Sequence, residues 1–283
     1  MEWLSEPFEF AFFRNGFIAA IVAGGLCGLV GTFVVLRGMS YIGHGLSHAI
    51  FGGAAVSAVV GLNFFLGAGL WGLASALLIG RVTRRRVVRS DAAIGVVTTA
   101  GFAVGVAMFG LFGRARRSID ALLFGSILGV DGGDVRVIAA VTALAAVVVF
   151  LAYRPLLFTT FDPEVADVSG VRTAWVDALL MLVLAMSILV TLQILGATLV
   201  AAGLVIPPTV ARLLTHSFTR MLWLSTGLGS ACGAVGMMLS YHLDVAPGAA
   251  IVLTAALTFA IVYAASGMRH YPRLMIPSSG ERK

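Results

Sequence analysis

The chain has 283 residues, of which 59% are hydrophobic and only 11% charged, against the roughly 25% charged residues of an ordinary soluble domain. A globule of this length cannot hide so much apolar surface from water, so the bilayer is its solvent. The formal charge of +6 comes from arginines scattered among short loops, with Lys283 the single lysine. That excludes a nucleic-acid-binding stripe and also a P-loop ATPase, which needs a lysine behind its glycines.

The first residues carry Glu2 and Glu6 and lack the basic start of a cleavable signal, which predicts a retained first helix. Apolar segments then follow at 15–36, 41–61, 64–81, 91–113, 135–153, 174–193, 196–214, 221–242 and 246–267. Most reach the ~18 residues that cross a bilayer as a helix, and the alternating strands of an outer-membrane barrel are absent. The expected fold is all-α, a polytopic transmembrane bundle of eight or nine spans forming one domain over 1–283. Gly61, Leu62 and Asn63 read as a turn or a kink, and 193–196 as a second soft joint.

Nine spans put Arg37 and the basic stretches 81–89, 154–172, 212–220 and 269–273 on one side, which the positive-inside rule assigns to the cytoplasm. The N-terminus then lies outside and the C-terminus inside; Arg114, Arg116 and Arg117 run against the pattern. Pairs of small residues four apart, Gly24/Gly28, Gly101/Gly105 and Gly229/Gly233, suit close helix packing within one subunit. Cys27 and Cys232 read as small buried side chains rather than a disulfide or metal site.

Four features could carry chemistry. His44 and His48 share one face of a helix, one turn apart, where two imidazoles can hold one transition-metal ion or simply hydrogen-bond to neighbouring helices. Asp162, Pro163, Glu164, Ala166 and Gly170 carry the marks of a short capped helix: N-cap, proline at the first position, acid in the first turn, closing glycine. It is either a docking knob for a soluble partner or an interfacial helix resting on lipid. Gly203, Pro207 and Pro208 lie in an apolar span and predict a broken helix, functional or merely kinked. His242 and Asp244 form either a cation-receiving pair at the outer mouth or a capped turn.

Three blocks resemble the ABC-3 family of permeases, subunits of bacterial zinc, manganese and related iron importers. Arg37, Met39, Ser40, Gly43, Leu46, Ser47, His48 and Ala49 match its R-x-M-S-x-x-G-D-x-L-S/A-H-A segment, except that the family carries Asp where His44 stands. Leu123, Phe124, Gly125, Ser126, Ile127 and Leu128, followed by Asp134, match its L-F-G-S-I-L block. Gly196 through Arg212, including Leu199, Ile206 and Pro207, matches a third, and 156–172 falls where the family places its cytoplasmic coupling segment.

The resemblance implies a single permease domain with the fold of the vitamin B12 and siderophore importers. It implies a transport subunit in the bacterial inner membrane, not an enzyme. It would form a homodimer, served by two copies of a separate ATPase and by an extracytoplasmic metal-binding protein, surrounded by lipid and without nucleic acid. Zinc or manganese would be cargo moved from the periplasm or cell exterior to the cytoplasm, with no covalent cofactor. A neutral His/His pair is softer than Asp/His and tilts the expectation toward zinc. The alternative is an ion-gradient-driven secondary transporter of a cation. It would need several buried carboxylates, which these spans lack.

Overall fold

The computed structural model describes residues 5–84, 90–112, 123–126 and 130–266. Among them are eleven α-helices and no strand. A 3-10 turn at Glu6–Glu9 leads into α1 (Ala11–Leu36), α2 (Ser40–Val60), α3 (Phe64–Arg84), α4 (Ser90–Phe112) and α5 (Gly132–Leu151). Then come α6 (Tyr153–Phe161), α7 (Pro163–Val168), α8 (Thr173–Leu195), α9 (Val200–Leu214), α10 (Phe218–Leu243) and α11 (Pro247–Ser266). Eight of these, all but α6, α7 and α9, are long and apolar enough to cross a membrane. Of the nine apolar segments of the sequence, the one left over is 196–214, which forms the shorter α9 of 15 residues. Arg85, Arg86, Arg89, Arg114, Arg116, Arg117, Ile127, Leu128, Arg269, His270 and Arg273 lie outside the described residues.

Local chemistry sets the joints. Gly38 (φ 65°) closes α1: its amide donates to Val35 O at 3.1 Å and that of Met39 to Val34 O at 2.9 Å. This is the double bond pattern that a left-handed glycine makes possible. Gly61 (φ 79°) closes α2, and Asn63 Oδ1 accepts from the amides of Phe65 and Leu66 at 3.0 and 3.3 Å. The 61–63 ambiguity therefore resolves as a turn between two helices. Asp131 and Asp134 cap α5 reciprocally.

Close packing follows the small residues. α1 sits at the centre, against α5, α8, α9 and α10, while α2 packs on α3, α4, α8 and α9. A Cβ at Gly24 would meet the Gly229 carbonyl, one at Gly28 the Ser225 carbonyl, and one at Gly233 the Ala20 carbonyl. Gly101 and Gly105 likewise face Ala49 and Gly52 of α2. These pairs serve packing within one chain, as expected. Ser225 also donates to Gly28 O at 2.7 Å. Gly28→Ala should therefore cost about 1–3 kcal/mol by forcing α1 and α10 apart. The measurement is the melting temperature in detergent against Gly227→Ala, whose new Cβ meets nothing within 4 Å. Cys27 and Cys232 are buried and free, as expected.

The broken helix does not sit at the prolines. α9 runs without interruption through Pro207 and Pro208, both buried, and Gly203 packs inside it against Leu195 and Cys27. Proline has a helical φ; what it costs inside a helix is one donor and the crowding of its ring against the carbonyl four residues back. The crowded Leu204 carbonyl finds room because Gly31 of α1 has no Cβ to collide with it. The interruption is instead at 196–199, where Gly196 takes φ 76° and ψ 159° and parts α8 from α9. It is clamped from outside: Thr198 donates through Oγ1 to Leu123 O at 2.7 Å, and the Ser126 amide donates to Gln193 O at 3.0 Å.

Candidate functional site

His44 and His48 lie on α2 four residues apart, and helical geometry stacks them on one face. Their Nε2 atoms are 3.3 Å apart, with the rings perpendicular and their centroids 4.6 Å apart. Two nitrogens each about 2.1 Å from one tetrahedral ion would be separated by roughly 3.4 Å, so the pair is pre-spaced for a shared cation. His44 is exposed and His48 partly so, although α2 is otherwise mostly buried. Phe102 of α4 packs edge-on against His48 at 5.2 Å, and Tyr41 lies one turn before His44. His48 Nδ1 is buried without a hydrogen-bond partner among the described residues. Ser47, on the buried side of the same turn, reaches Ala197 O at 2.8 Å and so ties α2 to the interruption between α8 and α9. No group of three His, Cys, Asp or Glu that could hold a metal occurs among the described residues.

The short polar helix forms as its sequence demands. Asp162 Oδ1 accepts from the Val165 amide at 3.0 Å, Pro163 opens α7, and Gly170 (φ 84°) closes it. The Val171 and Gly170 amides donate to Ala166 O and Asp167 O, each at 3.0 Å. Ala166 corrects an expectation: it is fully buried and seats the helix, so it is no part of the outward face. That face is Glu164, Val165, Asp167 and Val168, the last 91% exposed.

Arg37 joins these two regions. Its side chain, only 10% exposed, donates from Nη1 to Asp177 Oδ1 at 2.7 Å, from Nη2 to Thr159 Oγ1 at 2.6 Å and from Nε to Thr160 Oγ1 at 3.0 Å. Thr159 and Thr160 end α6, just before α7; Asp177 begins α8, just after it. One guanidinium at the α1–α2 joint therefore grips both flanks of the short polar helix α7. A cavity of about 1100 Å³ opens beside it, lined by Tyr41, Ile42, Arg81, Pro163 and Asp177 among others.

At the far end of α10, Asp244 (φ 52°) is the left-handed residue that ends the helix, its amide donating to Ser240 O. His242 stacks edge-on against Tyr241 at 5.3 Å. The geometry there is that of a capped turn.

The model of the ABC 3 transport family matches residues 9–266 of this chain. The chain belongs to the ABC 3 transport family. The manganese import system permease protein ScaB of Streptococcus parasanguinis is 38% identical over 264 residues, covering 93% of each chain. The solved structure of PsaBC from Streptococcus pneumoniae in complex with Fab superposes with a TM-score of 0.84 at 34% identity, over 93% of this chain and 94% of that one. An ABC transporter assigned to the metal-chelate type, in an inward-facing conformation, shares the fold with a TM-score of 0.71 at 16% identity, over 89% and 86% of the two chains.

As an ABC 3 protein, this chain is a multi-pass permease of the bacterial inner membrane and the transport subunit of an ABC metal importer. The zinc leaning finds no support among these relatives, and family membership does not favour the secondary-transporter alternative. The three ABC 3 blocks meet in space: Ser47 of the first bonds Ala197 of the third, whose neighbour Thr198 bonds Leu123 of the second. In the sequence Arg37 stood out as a mark of orientation and as part of the first block, but nothing there showed its contacts or those of Ser47 and Phe102. A charge pair 140 residues apart leaves no periodic signal.

Proposed function

We propose that this permease passes a divalent transition metal, manganese in preference to zinc, from the cell exterior to the cytoplasm along the face of α2 that carries His44 and His48. The observation that carries the reading is the 3.3 Å spacing of the two Nε2 atoms on the exposed face of a mostly buried helix. A polar face of this kind is costly against lipid and belongs on a water-filled route. With two ligands offered by the described residues of each chain, the route suits a homodimer whose second copy covers the same face. Manganese stands lowest in the divalent affinity order, so two neutral imidazoles hold it loosely. A transit site must release as readily as it captures, and zinc would linger there. The name of the Streptococcus parasanguinis relative favours the same metal.

The whole chain acts as one permease domain, with 156–172 as its cytoplasmic coupling segment. The outer face of α7 receives a separate ATPase, one for each permease copy, and an extracytoplasmic metal-binding protein delivers the ion at the other end. Arg37 carries motion of α7 to the base of α2, a rigid link of the sort that switches a bundle between discrete packings. Asp244 and His242 act as a helix stop at the outer mouth rather than as metal ligands.

The test is uptake of radioactive manganese and zinc into proteoliposomes holding the permease with its ATPase and binding protein. ATP-dependent manganese uptake exceeding that of zinc at equal concentration is the expected result. Uptake that persists without the ATPase, or zinc carried faster than manganese, overturns the proposal.

A further inference from the structure

α5 and α10 both pack on α1 but do not run against each other, and the slot between them is a groove of about 1070 Å³. Its floor is α1, with Gly25 at the centre; its walls include Ala146 and Phe150 of α5 and Leu222 of α10. The hydroxyls along it are already spent on backbone. Thr142 donates to Ile138 O at 2.8 Å, Thr226 to Leu222 O at 2.8 Å and Ser230 to Ile21 O at 3.1 Å. The interior therefore presents hydrocarbon and solicits no polar ligand.

One end differs. There Arg154 is exposed and makes no ion pair with a described residue, Tyr153 Oη meets Thr219 Oγ1 at 3.0 Å across the mouth, and Trp223 stands 72% exposed. Arg220 flanks the same end, beside Trp223 on the next face of α10. Aromatic rings next to arginine are the usual furniture of the membrane–water boundary. The groove also has the right length. From Thr219 to Ser230 α10 rises roughly 16 Å, close to half the ~30 Å hydrocarbon core, so the groove spans one leaflet rather than the whole bilayer. A spanning helix of a partner protein would need about twice that.

We propose that this groove binds one anionic glycerophospholipid of the cytoplasmic leaflet, with an acyl chain lying along Gly25 and Ala146 and the phosphate against Arg154. The leaflet and the absence of a second copy from this face rest on the proposed function; the shape and charge of the groove do not. The face is free for lipid because a second copy is required elsewhere, over the imidazoles of α2, and α2 packs on neither α5 nor α10.

The experiment is native mass spectrometry of the intact permease complex in mild detergent, titrated with phosphatidylglycerol or phosphatidylcholine. Wild type should retain phosphatidylglycerol preferentially. Arg154→Ala, a surface change, should weaken that retention about fivefold, the value of one basic side chain near an anionic headgroup. Ala146→Trp, which fills the groove, should remove the bound lipid of either kind, while Leu257→Trp on the exposed face of α11 should leave it. Equal retention of the two lipids by wild type, or unchanged retention in Arg154→Ala and Ala146→Trp, overturns the proposal. So does oxidative cross-linking of two copies through Ala146→Cys, which would give the groove to a second permease. None of these readouts depends on metal transport, so failure here is distinguishable from failure of the transport reading.

Discussion

His48→Ala is expected to lower metal uptake by about 100-fold or more while leaving the permease able to assemble with its ATPase. Changes one shell away from a metal already cost about 10–100-fold in affinity or activity, and this one removes a nitrogen that would touch the ion. The substitution is gentle on the fold, because alanine is the best helix former and the His48 ring is only partly buried. Phe102 would lose a ring contact at 5.2 Å, but its packing against Phe51 at 5.1 Å remains. The companion change His44→Asp separates ligand from scaffold, since the family pattern carries a carboxylate there and the position is exposed. It should retain uptake where His48→Ala does not. Uptake at the wild-type rate by His48→Ala, measured in the same vesicles, removes the imidazole pair from the pathway.

The second large effect is expected on the other face of the molecule. Glu164→Arg combined with Val168→Asp should cut ATPase binding and stimulation by about 30-fold, the loss that accompanies removal of an interface hot spot of about 2 kcal/mol. Both side chains point away from the bundle, so helix α7 itself should survive. Ala166→Leu makes the contrast. It drives a larger side chain into a fully buried seat and should loosen α7 as a whole, lowering thermal stability as well as stimulation. Pull-down of the ATPase and its permease-stimulated hydrolysis give the reading. If the double variant binds and stimulates like wild type, the docking face lies elsewhere.

On the proposed reading, the geometry of α7 would let even so small an element transmit force. It has six residues and would not persist as a free helix, yet both its ends are closed by side chain and glycine. Its flanks are fastened to Arg37, which stands three residues before the start of α2. Displacement of α7 therefore cannot be absorbed by a slack loop before it reaches the helix that carries the imidazoles.

Much of this was readable from the residues alone. The apolar segments became helices because backbone groups in a bilayer have no other partners than one another. Gly38, Gly61 and Gly170 mark left-handed stops that a residue without a Cβ accepts most readily, and Asp162 with Pro163 marks a start. These signals are local, and local chemistry decided them. The spacing of His44 and His48 is local too, so their common face followed from the helical period.

What the tertiary structure decided was everything that depends on contacts far apart in the chain. The two prolines looked like the break, because the loss of a donor is visible in sequence; the real break at Gly196 falls at the soft joint read at 193–196, but the hold that Leu123 and Ser126 exert on it from another segment left no mark there. In sequence Ala166 groups with the residues of a docking knob, yet it alone in that helix is buried, because only packing chooses which face turns inward. Arg37 looked like one more interfacial charge until Asp177 and the two threonines met it across more than a hundred residues. Periodicity and capping act over a few residues and leave their mark in the sequence; pairing energies act across the folded bundle and leave none until the helices are in place.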